Sequence, residues 1–344
     1  MNIFSYLKKK IISIKETKIW YFFIKLIIKP FFDILWVNVI NFHGRILGLI
    51  YSFNKKDFYK INKHEDVRLI ENDPEFQKIA NLINDYTNED FINELKKKIE
   101  KGRNEKHYMP NFLINFFPLL PEHVKAEILK FALSEKNIVT ATKYLKVLPV
   151  IKKLIVYLNI PKLTEERGAA LWHKDDFGYK SLDIFLAISD ININSGPLYY
   201  LKAKKELGVF LKIKNIIKKA LPGERNKVTL ESFSNYFKKD EVGALMGKSG
   251  TGVFIDSFTT YHRGGYCKSE NRIMLRVSYQ TPDTSRGQQP NNQEEFFYYP
   301  KIKKTDIKNI FHRYILFKNR NKLLQFIKID RIILLFIKIF HYKM

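Results

Sequence analysis

Ala169-Ala170-Leu171-Trp172-His173-Lys174-Asp175, followed a few residues later by Leu182-Asp183-Ile184-Phe185-Leu186, is the stretch on which the fold of this 344-residue chain turns. Side chains alternate between the two faces of a strand, so an extended reading puts His173 and Asp175 on the same side. The neighbouring runs support that reading. Ile155-Val156-Tyr157-Leu158, Leu182 to Ser189, Gly196 to Leu201, Gly252 to Ser257 and Arg272 to Gln280 are short, rich in β-branched and aromatic residues, and separated by Gly, Pro, Asn and Asp. Several short strands at uneven spacing predict a β sandwich or jelly roll rather than βαβ units. Upstream, from about Phe58 to Leu133, apolar residues recur at helical spacing, as in Phe91, Leu95, Ile99 and in Val124, Ile128, Phe131. The expected class is α+β. A basic amphipathic segment covers 1–57, a helical region 58–137, the β core 138–285, and a C-terminal extension with a basic amphipathic helix 286–344. There is no internal repeat.

A hydrophobic content of 45% excludes a disordered chain and is enough for a substantial core. A single cysteine, Cys267, excludes an internal disulfide and a thiolate metal cluster, and points to a reducing compartment, the cytoplasm. The net charge of +25 comes from 48 Lys and 12 Arg against 35 acids. Lysine is poor material for bidentate reading of bases, so sequence-specific nucleic-acid recognition is disfavoured. Just over half of the excess, 13 of 25, lies in the two ends: net +6 in Met1 to Ile50 and +7 in Thr305 to Met344. That distribution suits peripheral contact with the anionic inner face of a membrane. It equally suits helices packed on the protein's own core, in a chain whose Lys, Ile and Asn richness follows a compositional bias. Neither end reaches the roughly 20 largely uncharged residues of a spanning helix. Ile19 to Ile24 runs into Lys25 and Lys29-Pro30, and Ile332 to Ile337 is bracketed by Arg331 and Lys338. No small-residue cleavage site follows the first apolar run, so a secretory signal is not expected.

His173 and Asp175 form a pair able to ligate one metal. With eight His in the chain, His-x-Asp arises by chance in roughly one such chain in three, so the pair alone is a weak signal. A second copy, His64-Glu65-Asp66, lies in a polar stretch with no strand pattern beside it, and context favours the copy at His173. Two His and one carboxylate make a facial triad that leaves positions open on iron(II) for a co-substrate and dioxygen. Among the remaining histidines, His262 follows the strand-like Gly252-Val253-Phe254-Ile255-Asp256 and precedes Gly264-Gly265 and the run from Arg272. It is the expected third ligand.

Trp172-His173-Lys174-Asp175, Ile188-Ser189-Asp190 leading to Asn194-Ser195-Gly196-Pro197-Leu198, Gly252 to Asp256, Tyr261-His262-Arg263-Gly264 and Arg272 together resemble the phytanoyl-CoA dioxygenase family of iron(II)- and 2-oxoglutarate-dependent oxygenases. Ala141 to Tyr144 and Leu148-Pro149 share the likeness, which spans about Ile138 to Pro282. Two features depart from the family's pattern: Leu201-Lys202-Ala203-Lys204-Lys205 replaces a frequent Pro-Gly-Ser-His turn, and Asp183 stands where many relatives have lysine. The resemblance implies a double-stranded β-helix in which His173, Asp175 and His262 bind iron and 2-oxoglutarate chelates the same metal. With dioxygen, the co-substrate is converted to succinate and carbon dioxide while a small-molecule or lipid- or sugar-linked substrate is hydroxylated.

The distal carboxylate of 2-oxoglutarate needs a fixed cation, for which arginine's fork is suited. Arg272, ten positions after His262, matches the family's position, and Arg276 shares its strand face as the alternative. Asn159 and Tyr157 share a strand face and are candidate hydrogen-bonding partners of the co-substrate. Trp172 is expected beneath the metal site, Asp176 in a loop or behind the ligands, and Asp190 and Asp256 at turns. Two other classes fit parts of the pattern: a metal enzyme of the same barrel type that works without 2-oxoglutarate, such as an isomerase, and a non-catalytic protein at a membrane surface.

Overall fold

The computed structural model describes residues 29–61, 66–102, 113–161, 168–175, 180–202, 227–228, 238–282 and 308–317. Most of both basic ends lies outside these residues, as do His64, Glu65, Asp176 and Ala203 to Lys205.

Eleven strands are formed among the described residues: β1 Val67–Ile70, β2 Leu113–Asn115, β3 Val150–Asn159, β4 Trp172–His173, β5 Ser181–Ala187, β6 Leu198–Leu201, β7 Lys227–Val228, β8 Val242–Leu245, β9 Gly252–Ile255, β10 His262–Gly264 and β11 Arg272–Gln280. They make two antiparallel sheets, a larger one in the order β1-β9-β5-β11-β3-β2 and a smaller one in the order β7-β4-β10-β6-β8. Between β3 and β11, with β7 set aside, the chain visits them as larger, smaller, larger, smaller, smaller, larger, smaller, larger. That alternation stacks eight strands into two sheets without a parallel neighbour, as the sequence pattern predicts.

Strand parity decides what each face does. Tyr157, Phe185, Ala187, Val253, Ile255 and Met274 of the larger sheet meet Leu198, Tyr200 and Leu245 of the smaller one, closing an inner core between the sheets. The intervening residues, Val156, Leu158, Leu182, Ile184, Leu186, Leu275, Val277 and Tyr279, point the other way into a second core shared with the helices. These helices are α1 Lys29–Ser52, α2 Pro74–Asn84, α3 Glu89–Gly102, α4 Glu122–Ala132, α5 Glu135–Leu145 and α6 Ile310–Phe317. Burying a large apolar side chain is worth about 1.5–3 kcal/mol. The outer face is therefore where most of the stability is made, and it leaves the inner face free to carry polar groups. Tyr279, fully buried there, donates its hydroxyl to the Ala132 carbonyl at 2.6 Å, so its polar tip is satisfied.

Local chemistry sets the helix ends. Asp73 precedes Pro74 and accepts from the amides of Glu75 and Phe76, an N-cap with proline at the first helical position. Ser134 caps α5, which ends on Lys146 in the left-handed conformation at φ 59°. On α1, Gly48 lies so close to Val147 and Leu148 that a Cβ would sit 2.6 Å from the Leu148 nitrogen.

The strands read from the sequence appear with nearly the expected bounds, and Phe91, Leu95, Val124, Ile128 and Phe131 fall on helices as expected. The segment 58–137 departs from its purely helical reading, because β1 and β2 lie within it as the two edges of the larger sheet. β1 is four residues long with only its ends buried, so it presents no alternation to recognise. The line drawn between 137 and 138 falls inside α5. Among the described residues, no helix is long and apolar enough to cross a membrane.

Candidate metal centre

His173 ends the two-residue strand β4 and pairs directly across it with His262, which opens β10. Directly opposed residues of antiparallel strands hold their Cβ atoms about 4.5–5.5 Å apart. Backbone pairing alone therefore brings the two imidazoles together, with ring centroids 4.4 Å apart. Asp175 follows two residues after His173, and its amide donates to the Ser257 carbonyl at 2.8 Å, which ties it to the turn after β9. Asp175 Oδ1 lies 3.6 Å from His173 Nε2 and 3.8 Å from His262 Nε2. Potential ligand atoms of all three residues fall within 4.8 Å of one another.

Both rings are held by their other nitrogen. His173 Nδ1 is 2.7 Å from the Leu171 carbonyl and His262 Nδ1 is 3.1 Å from the Thr260 carbonyl. A carbonyl only accepts, so each Nδ1 carries the proton and each Nε2 turns a lone pair toward the shared point. Burial lowers the pKa of His262 and Asp175 only partly opposes that, which favours the neutral, ligating form. For the Asp175 carboxyl, burial works upward, but Arg276, Lys153, His262 and His173 outweigh it and hold it well below the usual range. Two neutral imidazoles and one ionised carboxylate are a donor set for a divalent cation of borderline hardness.

The second oxygen of Asp175 is already engaged. Arg276 Nη2 donates to Asp175 Oδ2 and to Asp183 Oδ2, and lies 3.4 Å from Ser257 Oγ. Lys153 Nζ stands 3.9 Å from the same Asp175 oxygen. Burial and the neighbouring Arg276 push Lys153 down to about 8, against the pull of Asp175 and Asp183. Arg276 itself is raised: burial would lower it, but Asp183 and Asp175 more than offset that. Both carboxylates that face Arg276, Asp175 and Asp183, are thus engaged by it.

Arg272 has different surroundings. It is 4% exposed and pairs across the sheet with Asn159, whose side-chain oxygen accepts from Arg272 Nη2 at 3.1 Å. Its Nε and Nη1 are buried without a hydrogen-bonding partner. Among the described residues, no carboxylate pairs with it. Gly264, two residues after His262 on the facing sheet, leaves room for it, since a Cβ there would lie 3.3 Å from Arg272 Nη2. A buried guanidinium with two unpaired nitrogens is costly. The acceptor that a guanidinium fork suits best is a carboxylate.

Neither a protein-family model nor a curated protein matches this chain. Solved structures similar to it include the epimerase SnoN in complex with Fe3+, alpha ketoglutarate and nogalamycin RO, at 13% identity over 64% of this chain and 80% of that one, with a TM-score of 0.37. Another is the non-heme alpha ketoglutarate dependent carbocyclase SnoK from nogalamycin biosynthesis, at 11% identity, 67% and 85% coverage and 0.37. A third is HygX from Streptomyces hygroscopicus with nickel and 2-oxoglutarate bound, at 11% identity, 63% and 83% coverage and 0.37. At such identities and scores the chemistry of the site rests on its own residues.

Of the other residues singled out in the sequence, Tyr157 points into the inner core, where its hydroxyl reaches Met274 Sδ at 3.5 Å. Trp172 is buried on the opposite side of β4 from His173, with the Arg263 guanidinium 5.7 Å from its ring centroid. Asp190 accepts from the Ser249 amide and from Lys248, and Asp256 accepts from the amides of Phe258 and Thr259, so both hold turns. Asp66 has a role its polar context hid. It is 2% exposed, β1 begins directly after it, and it accepts from Tyr144 and Thr259. Its burial makes it structural rather than an idle surface acid. Asp183, Lys153 and Ser257 are the members of the site whose roles the sequence did not show. The available signal was Asp183 itself, a lone carboxylate in an apolar strand, which demands a buried cation.

Proposed function

We propose that this chain is an iron(II)- and 2-oxoglutarate-dependent oxygenase that hydroxylates a small-molecule or lipid- or sugar-linked substrate, built on a double-stranded β-helix in the manner of the phytanoyl-CoA dioxygenase family. The observation that carries the reading is one juxtaposition on the inner faces of the sheets. His173, Asp175 and His262 converge within 4.8 Å, and Arg272 stands against the same strand as His262 with two buried donors unpaired. Iron(II) with 2-oxoglutarate and dioxygen supplies, when bound, oxidative decarboxylation to succinate and carbon dioxide coupled to hydroxylation of a C–H bond.

The chain's own contribution is positioning. His173 Nε2, His262 Nε2 and Asp175 Oδ1 are three donors, from two adjacent strands and the segment after β4, that would hold the metal. Arg276 engages Asp175 Oδ2, so the carboxylate offers one oxygen toward the imidazoles. Arg272 would pair with the far carboxylate of the co-substrate, and Asn159 holds that guanidinium from the neighbouring strand. The apolar inner core around Tyr157, Phe185 and Met274 would lower the local dielectric and strengthen that pair.

The decisive experiment measures conversion of 2-oxoglutarate to succinate in air by the purified chain, with and without iron(II) and with no added substrate. Slow, iron-dependent succinate formation supports the reading. A chain that binds iron(II) but neither binds nor consumes 2-oxoglutarate refutes it and leaves the metal enzyme without this co-substrate.

A further inference from the structure

The turn from Asp256 to Thr260, between β9 and β10, supports two of the three proposed ligands without containing either. Its Ser257 carbonyl accepts from the Asp175 amide at 2.8 Å, and its Thr260 carbonyl faces His262 Nδ1 at 3.1 Å. Ser257 Oγ also lies 3.4 Å from Arg276 Nη2, the nitrogen that engages Asp175 Oδ2. The third ligand has another support, because His173 Nδ1 faces the Leu171 carbonyl. A movement of the turn therefore shifts Asp175 and His262 against His173.

Part of what holds the turn is local. The Thr259 and Thr260 amides donate to the Asp256 carbonyl, and the Phe258 and Thr259 amides donate to Asp256 Oδ1. The rest comes from distant parts of the chain. The Asp66 carbonyl accepts from the Asp256 amide at 2.9 Å, and Asp66 Oδ2 accepts from Thr259 Oγ1 at 3.0 Å. On α5, the Tyr144 hydroxyl bridges the two carboxylates, 2.7 Å from Asp66 Oδ1 and 2.8 Å from Asp256 Oδ2. Asp66, Asp256, Ser257 and Thr260 are all buried.

Closing the sheet edge does not require these side chains. Backbone pairing from Val67 opposite Ile255 to Ile70 opposite Gly252 already joins β1 to β9. Asp66 stands one position before that ladder, in the left-handed region at φ 51°, which is unfavourable for most side chains. Burying its carboxylate adds a further cost. Both of its oxygens are directed at the turn or at the tyrosine that braces it.

We propose that Asp66 and Tyr144 are positioning residues of the metal centre, holding the 256–260 turn so that Asp175 and His262 stand at ligating distance from His173. The proposal rests on the metal reading given above. The two side chains act through the Ser257 and Thr260 carbonyls and not by contact with the metal. Groups that orient a ligand in this way typically account for 10- to 100-fold in metal affinity.

Calorimetric titration with iron(II) and the visible spectrum of the cobalt(II)-loaded protein test it, with thermal midpoints measured alongside. Asp66→Gly removes the carboxylate and suits the backbone angle, and Tyr144→Phe removes the hydroxyl alone. Asp66→Asn tolerates the same angle, keeps an acceptor for Thr259 and turns a donor toward Tyr144. Tyr279→Phe, which loses its hydrogen bond to the Ala132 carbonyl in the outer core, controls for lost stability. Asp66→Gly and Tyr144→Phe are expected to weaken iron(II) binding roughly 10- to 100-fold and to change the cobalt(II) spectrum, with Asp66→Asn within about threefold of the parent. Tyr279→Phe is expected to lower the midpoint and leave both metal readouts at the parent's values.

The proposal is overturned if Asp66→Gly and Tyr144→Phe bind iron(II) with the parent's affinity and give its spectrum, whatever their midpoints, since both side chains are then structural. It is overturned equally if Tyr279→Phe weakens binding as much as they do. Should Asp66→Gly fail to fold, Tyr144→Phe decides alone. A parent that binds neither ion refutes the metal reading itself, and the proposal falls with it.

Discussion

Arg272 and Arg276 leave the same face of the same strand four residues apart, and the two ends of that face solve opposite problems. At the Arg276 end, one guanidinium meets two carboxylates, Asp175 and Asp183, and the charges close on themselves. At the Arg272 end, one guanidinium meets only the amide oxygen of Asn159 and keeps two donors unpaired. The first arrangement balances buried charge against buried charge, although Arg276 Nε and Asp183 Oδ1 have no hydrogen-bonding partner, and it fixes Asp175 in place. The second leaves a buried positive charge with no carboxylate beside it among the described residues. Structure is built where buried charges are paired, and binding where one is left waiting.

The comparison breaks first at the metal. His173→Ala, Asp175→Ala and His262→Ala are each expected to abolish turnover, since each removes one of the three donors of the proposed metal site. Iron(II) binding by calorimetry checks this, with His64→Ala as the silent control. Retained iron binding and turnover in the His173 variant overturns the assignment.

The Arg276 end comes next. Removing one partner of a buried ion pair costs about 3–5 kcal/mol, because the other charge stays buried. Arg276→Ala is therefore expected to be severely destabilised, where the sequence alone offered Arg276 as an alternative co-substrate anchor to Arg272. Arg276→Met combined with Asp183→Leu removes both charges of one pair and is expected to recover part of the loss in a chemical denaturation series. A double variant no better than the single one shows that the two side chains are not coupled.

The fold was legible because its signals are local and periodic. Leu182 to Ala187 and Arg272 to Gln280 alternate or run apolar over a full strand, and His173 and His262 carry their strand context with them. What stayed hidden depends on pairing across the chain. Asp183 and Arg276 lie 93 residues apart, and nothing near either announces the other. β1 is an edge strand whose identity comes from β9, and Asp66 reads as a polar loop residue until the sheet is assembled around it. The choice between Arg272 and Arg276 was open on parity, since both share a face, and only the carboxylates opposite each one separate them.

The Arg272 end sharpens the contrast. A buried charged hydrogen-bonding pair is worth about 2–4 kcal/mol, so Arg272→Ala is expected to weaken 2-oxoglutarate binding roughly 30- to 1000-fold while iron(II) still binds. Arg272→Lys restores a point charge without the fork and is expected to recover only part. Titration of the iron-loaded protein with 2-oxoglutarate reads both. Unchanged affinity in the alanine variant removes Arg272 from the co-substrate site.

The smallest effect lies at a second buried carboxylate cluster, where a proton takes the place of the guanidinium. Tyr144 places one hydroxyl 2.7 Å from Asp66 Oδ1 and 2.8 Å from Asp256 Oδ2, so a single hydrogen faces two acceptors. Lys180, which donates to the Tyr144 carbonyl and lies over its ring, is the nearby cation. Burial pushes Asp256 up to about 6, with Asp66 adding to the rise and Tyr144, Lys180 and the Thr259 amide opposing it. A raised carboxyl pKa binds its proton more tightly in the folded state. Its contribution to stability is full below about 4, the unfolded value, and is lost as pH rises through 6. Asp256→Asn mimics the protonated form: its oxygen still accepts from Phe258 and Thr259, and its amide donates to Tyr144. The variant is expected to be more stable than the parent at pH 7, by on the order of 1–3 kcal/mol, and to lose that advantage near pH 4. Thermal midpoints of both proteins from pH 4 to 7 decide it. Parallel curves show that Asp256 is ionised throughout and that the hydroxyl alone settles the pair. Converging curves show that a buried acid without a guanidinium keeps its proton.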